Sequence, residues 1–253
     1  MTKLIRCAVS TVLYALVTIA FVPAAFAQVE IQSRPALDVT FSVSSLGWGV
    51  QAARPLPHRS DIRGGFNFYN YNTTITDDGA DYTTDVRLQS VNFQFDKYLL
   101  AGLFASGGAL VWNGNKGDAK VSVPAGQPFS LGNVTYFSGG TDPVHGESTV
   151  TFQKFAPLLS LGYGNLSSKG HFAYTVEAGV AFHGTPHATL SLAGSACKNF
   201  PPAPGFGGGL VCQDIATNPG IQNDVAAQQQ KVNDDISNFK YYPILQFSIG
   251  YKF

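Results

Sequence analysis

The chain has 253 residues, a formal net charge of zero, 13% charged residues and 13% aromatics. A neutral chain with a pI near 6.9 excludes a basic nucleic-acid-binding module, which carries a cationic patch. Charge this sparse beside so many Phe and Tyr residues suits one all-β domain whose outer face meets lipid.

The first 27 residues read as an export signal. Lys3 and Arg6 form a basic start, residues 8–22 are mostly apolar, and Ala25-Phe26-Ala27 is a processing site that leaves Gln28 first. Cleavage removes Cys7. The remainder, 28–253, is expected to be one domain. It holds no apolar run near 18 residues, so no helix spans a membrane. Its apolar residues fall instead in short alternating segments. Hydrocarbon offers a backbone no hydrogen bonds, so strands cross it only as a closed barrel.

Residues 38–43 alternate, with Val39, Phe41 and Val43 on one face, and Ser44-Ser45-Leu46-Gly47 reads as a tight turn into a second strand, 46–54. The rival reading is one long bulged strand over 37–54. Residues 61–72 follow, with Phe66 and Phe68 outward and Arg63 and Asn67 inward. Then come 84–95 and 101–113, with Phe104, Leu110 and Trp112 in phase. Segment 150–164 is followed by 172–189, whose alternation runs Phe172, Tyr174, Val176, Ala178, Val180, Phe182. The last strand, 239–253, places Tyr241, Leu245, Phe247, Ile249, Tyr251 and Phe253 on one side. The expected architecture is an all-β, closed antiparallel transmembrane barrel of eight strands. Two phase changes, after Gln89 and at Gln153-Lys154, read as β-bulges, since a slip of one residue flips every side chain.

Connections alternate in length. Those at 55–60, 96–100 and 165–170 are short; 72–83, 114–149 and 190–238 are long. Short turns belong to the periplasmic end and long loops to the extracellular end. The last loop contains Cys197 and Cys212 around a Pro- and Gly-rich span. An exporting compartment favours a disulfide between them, whereas a metal or redox pair needs further ligands or closer spacing. Residues 222–232 lack Gly and Pro, and Val225, Val232 and Ile236 make a narrow helical stripe, expected to pack on the barrel rim.

These segments, the leader, the unequal loops and the ending Gly250-Tyr251-Lys252-Phe253 resemble the small outer-membrane β-barrel proteins of Gram-negative bacteria, the broad OmpA-like and OmpW-like group. The resemblance implies a monomer in the bacterial outer membrane. Its partners would be outer-membrane lipid, lipopolysaccharide and the barrel-assembly machinery. In that group a terminal aromatic with another two residues earlier is the assembly signal; Phe253 and Tyr251 match it. Ser248 stands where the group usually has glycine.

The candidate polar network of the lumen is Arg63, Asp85, Arg87, Lys154 and Glu177, with Asn67, Gln94 and Lys252 also inward. An eight-stranded barrel is just wide enough for side chains to fill. Buried charges need partners, so a salt-bridged plug is the leading expectation and a small-solute channel the alternative. The role expected is at the envelope surface, through the long loops, without enzymatic activity, cofactor or metal. A lipid-modifying hydrolase using His58-Arg59-Ser60 is the distant alternative, because no acidic partner accompanies that triplet. His183 and His187 read as ordinary strand-end histidines. Gly207-Gly208-Gly209 follows no β-α unit and reads as loop, not phosphate cradle.

Overall fold

The computed structural model describes residues 37–77, 80–165, 170–201 and 208–253. The expected signal peptide, Cys7 and Gly207 lie outside them. Fifteen strands and one helix follow in order. They are β1 Asp38–Ser44, β2 Gly47–Leu56, β3 Ser60–Asp77, β4 Ala80–Leu100, β5 Leu103–Asn113, β6 Lys116–Ser122, β7 Pro128–Leu131 and β8 Val134–Ser138. Next come β9 His145–Thr151, β10 Ala156–Gly164, β11 Phe172–Phe182, β12 His187–Ala193, β13 Ser195–Phe200 and β14 Gly209–Asp214. Helix α1, Pro219–Ile236, and β15, Tyr241–Lys252, complete the chain.

All the pairings are antiparallel. β1 pairs β2 and β15; β2 pairs β3; β3 pairs β4 along its whole length. β4 pairs β5 through residues 90–100, β5 pairs β10, β10 pairs β11, and β11 pairs β15. The lower end is the one at which β2, β4 and β10 finish. Residues 44–47 are the tight hairpin of the first reading, with Ser44 opposite Gly47.

The sheet is larger than the eight strands expected. Near its upper end β4 leaves β5 and pairs β6 through Asp81–Arg87, and β6, β9 and β12 extend the sheet to eleven strands. A second sheet of four strands runs β14-β13-β8-β7. The stretches 114–149 and 190–238, expected to be loops, therefore hold β6 to β9 and β12 to α1. The strand expected over 172–189 ends at Phe182, and β12 begins again at His187 on a different neighbour. The strand expected over 150–164 is likewise broken, because residues 152–155 belong to no strand.

The phase change near Gln89 has a different origin from the expected bulge in β4. Pairing of β3 with β4 is unbroken from Ser60↔Lys97 to Asp77↔Ala80. The register shift lies instead between β4 and β5, where Val91 faces Trp112 and Asn92 faces Leu110, so Val111 is the extra residue. Along β3 and β4 the faces keep their phase and exchange their chemistry. Below Phe68↔Gln89 the inner face carries Arg63, Asn67, Asn92 and Gln94, and the outer face Phe66, Phe68, Phe93 and Phe95. Above it, Tyr69, Tyr71, Val86 and Leu88 continue the inner phase, while Asn70, Asn72, Asp85 and Arg87 continue the outer.

The upper strands and α1 form a core of ordinary soluble type: Val123, Leu131, Tyr136, Val144, Ala196, Ile215, Ile221 and Val225. Helix α1 starts at Asn218, whose side-chain oxygen accepts from the Ile221 N–H at 3.0 Å, with Pro219 in the first turn. Ile221 and Val225 are buried one turn apart. The helix also covers an open sheet edge. Gln229 accepts from the Leu190 N–H, and Asn233 both accepts from the Ala188 N–H and donates to its carbonyl. A Cys197–Cys212 disulfide joins β13 to β14.

Candidate functional site: a buried ion cluster in the lower sheet

In the lower part of the large sheet the usual distribution is inverted. Inward side chains are polar and buried: Ser42, Gln51, Arg63, Asn67, Asp96, Thr175, Glu177 and Ser248 are among them. Outward side chains are large, apolar and exposed, as with Phe41, Val50, Phe93, Leu159, Val176 and Phe247. Alternation on each strand places both sets, because successive side chains leave opposite faces.

Arg63 is the centre, 1% exposed. Its Nε donates to Asp96 Oδ2 at 3.0 Å and one terminal nitrogen to Asp96 Oδ1 at 3.2 Å, a two-pronged contact. Its other terminal nitrogen lies 2.6 Å from Glu177 Oε2 and 3.3 Å from Gln51 Oε1. Two carboxylates thus share one guanidinium, and neutral donors add further bonds to each. Ser106 donates to Asp96 at 2.5 Å. Ser160 and Gln94 donate to Glu177 Oε1 at 2.5 and 2.8 Å. From Gln51 the network continues to Gln246 and Ser248, and from Gln94 to Asn92 and Asn67. It joins side chains of β2, β3, β4, β5, β10, β11 and β15.

Apolar layers bound this polar layer. Below lie Ala53, Tyr98, Phe104 and Ala173, with Phe104 stacked under Arg63 at 5.7 Å and tilted on Tyr98 at 5.5 Å. Gly162 makes room for that ring, since a Cβ there would collide with it. Above lie Leu46, Leu110, Ala156, Leu158, Ala181 and Ile244, with Tyr242 against them. Leu46 comes from the β1–β2 turn, and Tyr242 Oη donates to the Ser45 carbonyl. Below the lower layer, buried Asp38 faces Lys252 in register, and Lys252 Nζ donates to the Asn165 carbonyl.

The five residues proposed from sequence do not meet as one cluster. Arg63 and Glu177 join. Asp85 and Arg87 lie on the outer face above the polarity exchange, about two-fifths exposed, and Arg87 pairs with Asp118 at 3.0 Å. Lys116 and Thr149 also hold Asp118, and the Lys116 ammonium contact keeps its carboxyl below the usual carboxylate range. Lys154 is exposed in the break between β9 and β10. Asp96, the carboxylate that Arg63 grips, falls in the segment 96–100 that the sequence reads as a short connection. Continuing the Asn92, Gln94 alternation by two residues would have found it.

The other candidates gather no chemistry. His58 and Arg59 occupy left-handed backbone (φ 62° and 56°) in the β2–β3 turn. Ser60 donates at 3.4 Å to the His58 carbonyl, and Lys97 donates to the same oxygen at 2.5 Å. His183 is buried edge-on to Phe152, and His187 is exposed. No group of three metal-ligating side chains occurs among the described residues.

No protein-family model matches the chain, and no curated protein matches it. Solved structures do resemble it. Acinetobacter baumannii CarO superposes with a TM-score of 0.53 at 17% identity, over 87% of this chain and 98% of that one. Acinetobacter baumannii CarO2 gives 0.52 at 15% identity, over 88% and 100%. The chain is therefore similar in fold, over 87–88% of its length, to the CarO structures.

Proposed function

We propose that the chain is an integral bacterial outer-membrane protein. Strands β1, β2, β3, β4, β5, β10, β11 and β15 form its closed barrel, and its lumen is plugged. The observation that carries this reading is the inverted lower sheet, polar and charged within, Phe, Val and Leu without. Such a surface is stable only against hydrocarbon. Closure is supported by the pairing sequence, since β4 returns through β5, β10, β11, β15, β1 and β2 to β3. The likeness to CarO, an outer-membrane β-barrel protein, agrees with it. The exchange of faces at Phe68↔Gln89 then marks the outer boundary of the bilayer. Below it lipid selects outward apolar residues; above it water selects the reverse.

In this reading residues 1–27 are removed on export, and the assembly machinery reads Tyr251 and Phe253. The upper sheets and α1 form a crown facing the medium and lipopolysaccharide. The protein is a non-enzymatic envelope component that acts through that crown. The Arg63–Asp96–Glu177 cluster closes the lumen between two apolar layers, leaving no polar path for a solute. Fractionation tests location: the protein should remain in carbonate-washed outer membranes and migrate faster when unheated. Full release as a soluble periplasmic protein would contradict it.

A further inference from the structure

The outward face of the large sheet does not stop at the polarity exchange. β4 carries it from the apolar belt into the crown as one strand. Two indole rings mark the level of the change. Trp48 and Trp112 are the chain's two tryptophans, and both are exposed. Trp48 stands opposite Phe68, and Trp112 opposite Val91, two residues from Gln89. An indole is apolar with one polar N–H, so it gathers at the edge of a bilayer. Just above this level, the register sets Asn70, Arg87, Lys116, Thr151 and His187 side by side across β3, β4, β6, β9 and β12. The next row up is Asn72, Asp85, Asp118, Thr149 and Thr189. A cationic row thus lies nearest the apolar belt. The row holding carboxylates is two residues further along each strand, about 7 Å away.

We propose that Arg87 and Lys116, in this row, hold the phosphate groups of lipopolysaccharide in the outer leaflet. Position selects the occupant. At the rim of the apolar belt, the molecule against the outer wall is the lipid, and its phosphates lie where its acyl chains end. The chemistry agrees, since a guanidinium fork and an ammonium both bind phosphate. One terminal nitrogen of Arg87 lies 3.0 Å from Asp118 and its Nε 3.7 Å from Asp85, while Lys116 lies 2.8 Å from Asp118. Asp118 therefore ties the two cations side by side. Arginine has five N–H donors and lysine three, so each keeps donors beyond these contacts, and both side chains are partly exposed. The order of charge sets the direction of approach. Above the row on β4, β6 and β9, Asp81, Asp85, Asp118 and Glu147 stand against Lys120. An anion free in the medium meets those carboxylates first and is repelled. A phosphate anchored in the leaflet meets the cations from below.

This inference rests on the outer-membrane reading, and the test keeps the two apart. The folded protein is placed in phosphatidylcholine vesicles, and lipopolysaccharide or its dephosphorylated form is titrated in. The readout is the temperature at which the unheated gel form is lost. Lipopolysaccharide should raise that temperature for the wild-type chain, and the dephosphorylated form should not. In Arg87→Gln/Lys116→Gln the half-saturating amount should rise about tenfold, for the loss of two charge-assisted contacts at a partly exposed site. Lys120→Gln, on the same face two rows higher, should titrate as the parent does. No stabilisation by lipopolysaccharide, or equal stabilisation by the dephosphorylated form, would overturn the proposal, and neither result depends on a variant. A double variant that is compact before heating and titrates as wild type would also overturn it. Abolition of the effect by a chelator would overturn it in favour of a metal bridge through Asp85 and Asp118. A wild-type chain that never enters the vesicles and shows no heat-dependent mobility would sink the membrane reading itself.

Discussion

Arg63 holds two carboxylates in a site without water-facing surface. Removing one partner from a buried ion cluster leaves the others uncompensated, which costs roughly 3–5 kcal/mol. Arg63→Met should therefore lower the temperature at which the unheated gel form is lost, with Asp96 and Glu177 left facing one another. Adding Asp96→Asn and Glu177→Gln should restore much of it, because the charges then leave together. A triple variant no more stable than Arg63→Met would show that the cluster is not what Arg63 satisfies. In the crown, Tyr136 donates to Asp224 at 2.5 Å, and burial together with that bond pushes its phenol up to about 12. A group with a raised folded pKa stabilises below its unfolded value and loses that contribution as pH rises through the folded one. The crown should accordingly loosen between pH 10 and 12, and Tyr136→Phe should remove that transition from an ultraviolet titration. Asp118 behaves oppositely: its depressed carboxyl stabilises above 3.8 and the contribution fades as acid protonates it, an effect absent in Asp118→Asn.

At the scale of elements, the disulfide spans a separation of 15 residues between β13 and β14. Closing such a loop restrains the unfolded chain by about 3 kcal/mol. Replacing Cys197 and Cys212 by Ser should make the crown sensitive to protease while the barrel keeps its heat-dependent mobility. Simultaneous loss of both would show that crown and barrel do not unfold separately. The lower strands were legible because an exposed apolar face and a buried polar face write one alternation over every strand. β15 is the clearest case, with Gln246, Ser248 and Lys252 inside and Leu245, Phe247 and Ile249 outside. β6 and β9 were not legible. Lys116–Ser122 and His145–Thr151 are short and mixed on both faces, and what makes them strands is β4 and β12, far away in sequence. The change after Gln89 looked like a bulge because it was read under one rule. β4 obeys two, and its pairing with β3 never slips.

Across the whole molecule the candidate site was half legible. Arg63 and Glu177 stood out as charges inside strong alternation. Asp85 and Arg87 share a strand with the lumen residues but lie beyond the boundary at which outward becomes the polar direction. Asp96 was hidden because the expected strand stopped one residue before it. In the proposed barrel the lumen is a stack of three closed layers: Leu46, Leu110 and Ile244 above, the Arg63 cluster in the middle, Phe104 and Tyr98 below. A plug of this kind conducts nothing unless a layer is opened. The most direct test is single-channel recording of the pure, folded protein in a planar bilayer, beside Glu177→Gln and Phe104→Ala. A plugged lumen gives no steady unit conductance for the wild-type chain, with any openings confined to the variants. Regular, solute-selective openings of the unmodified protein would contradict it and make the chain a channel.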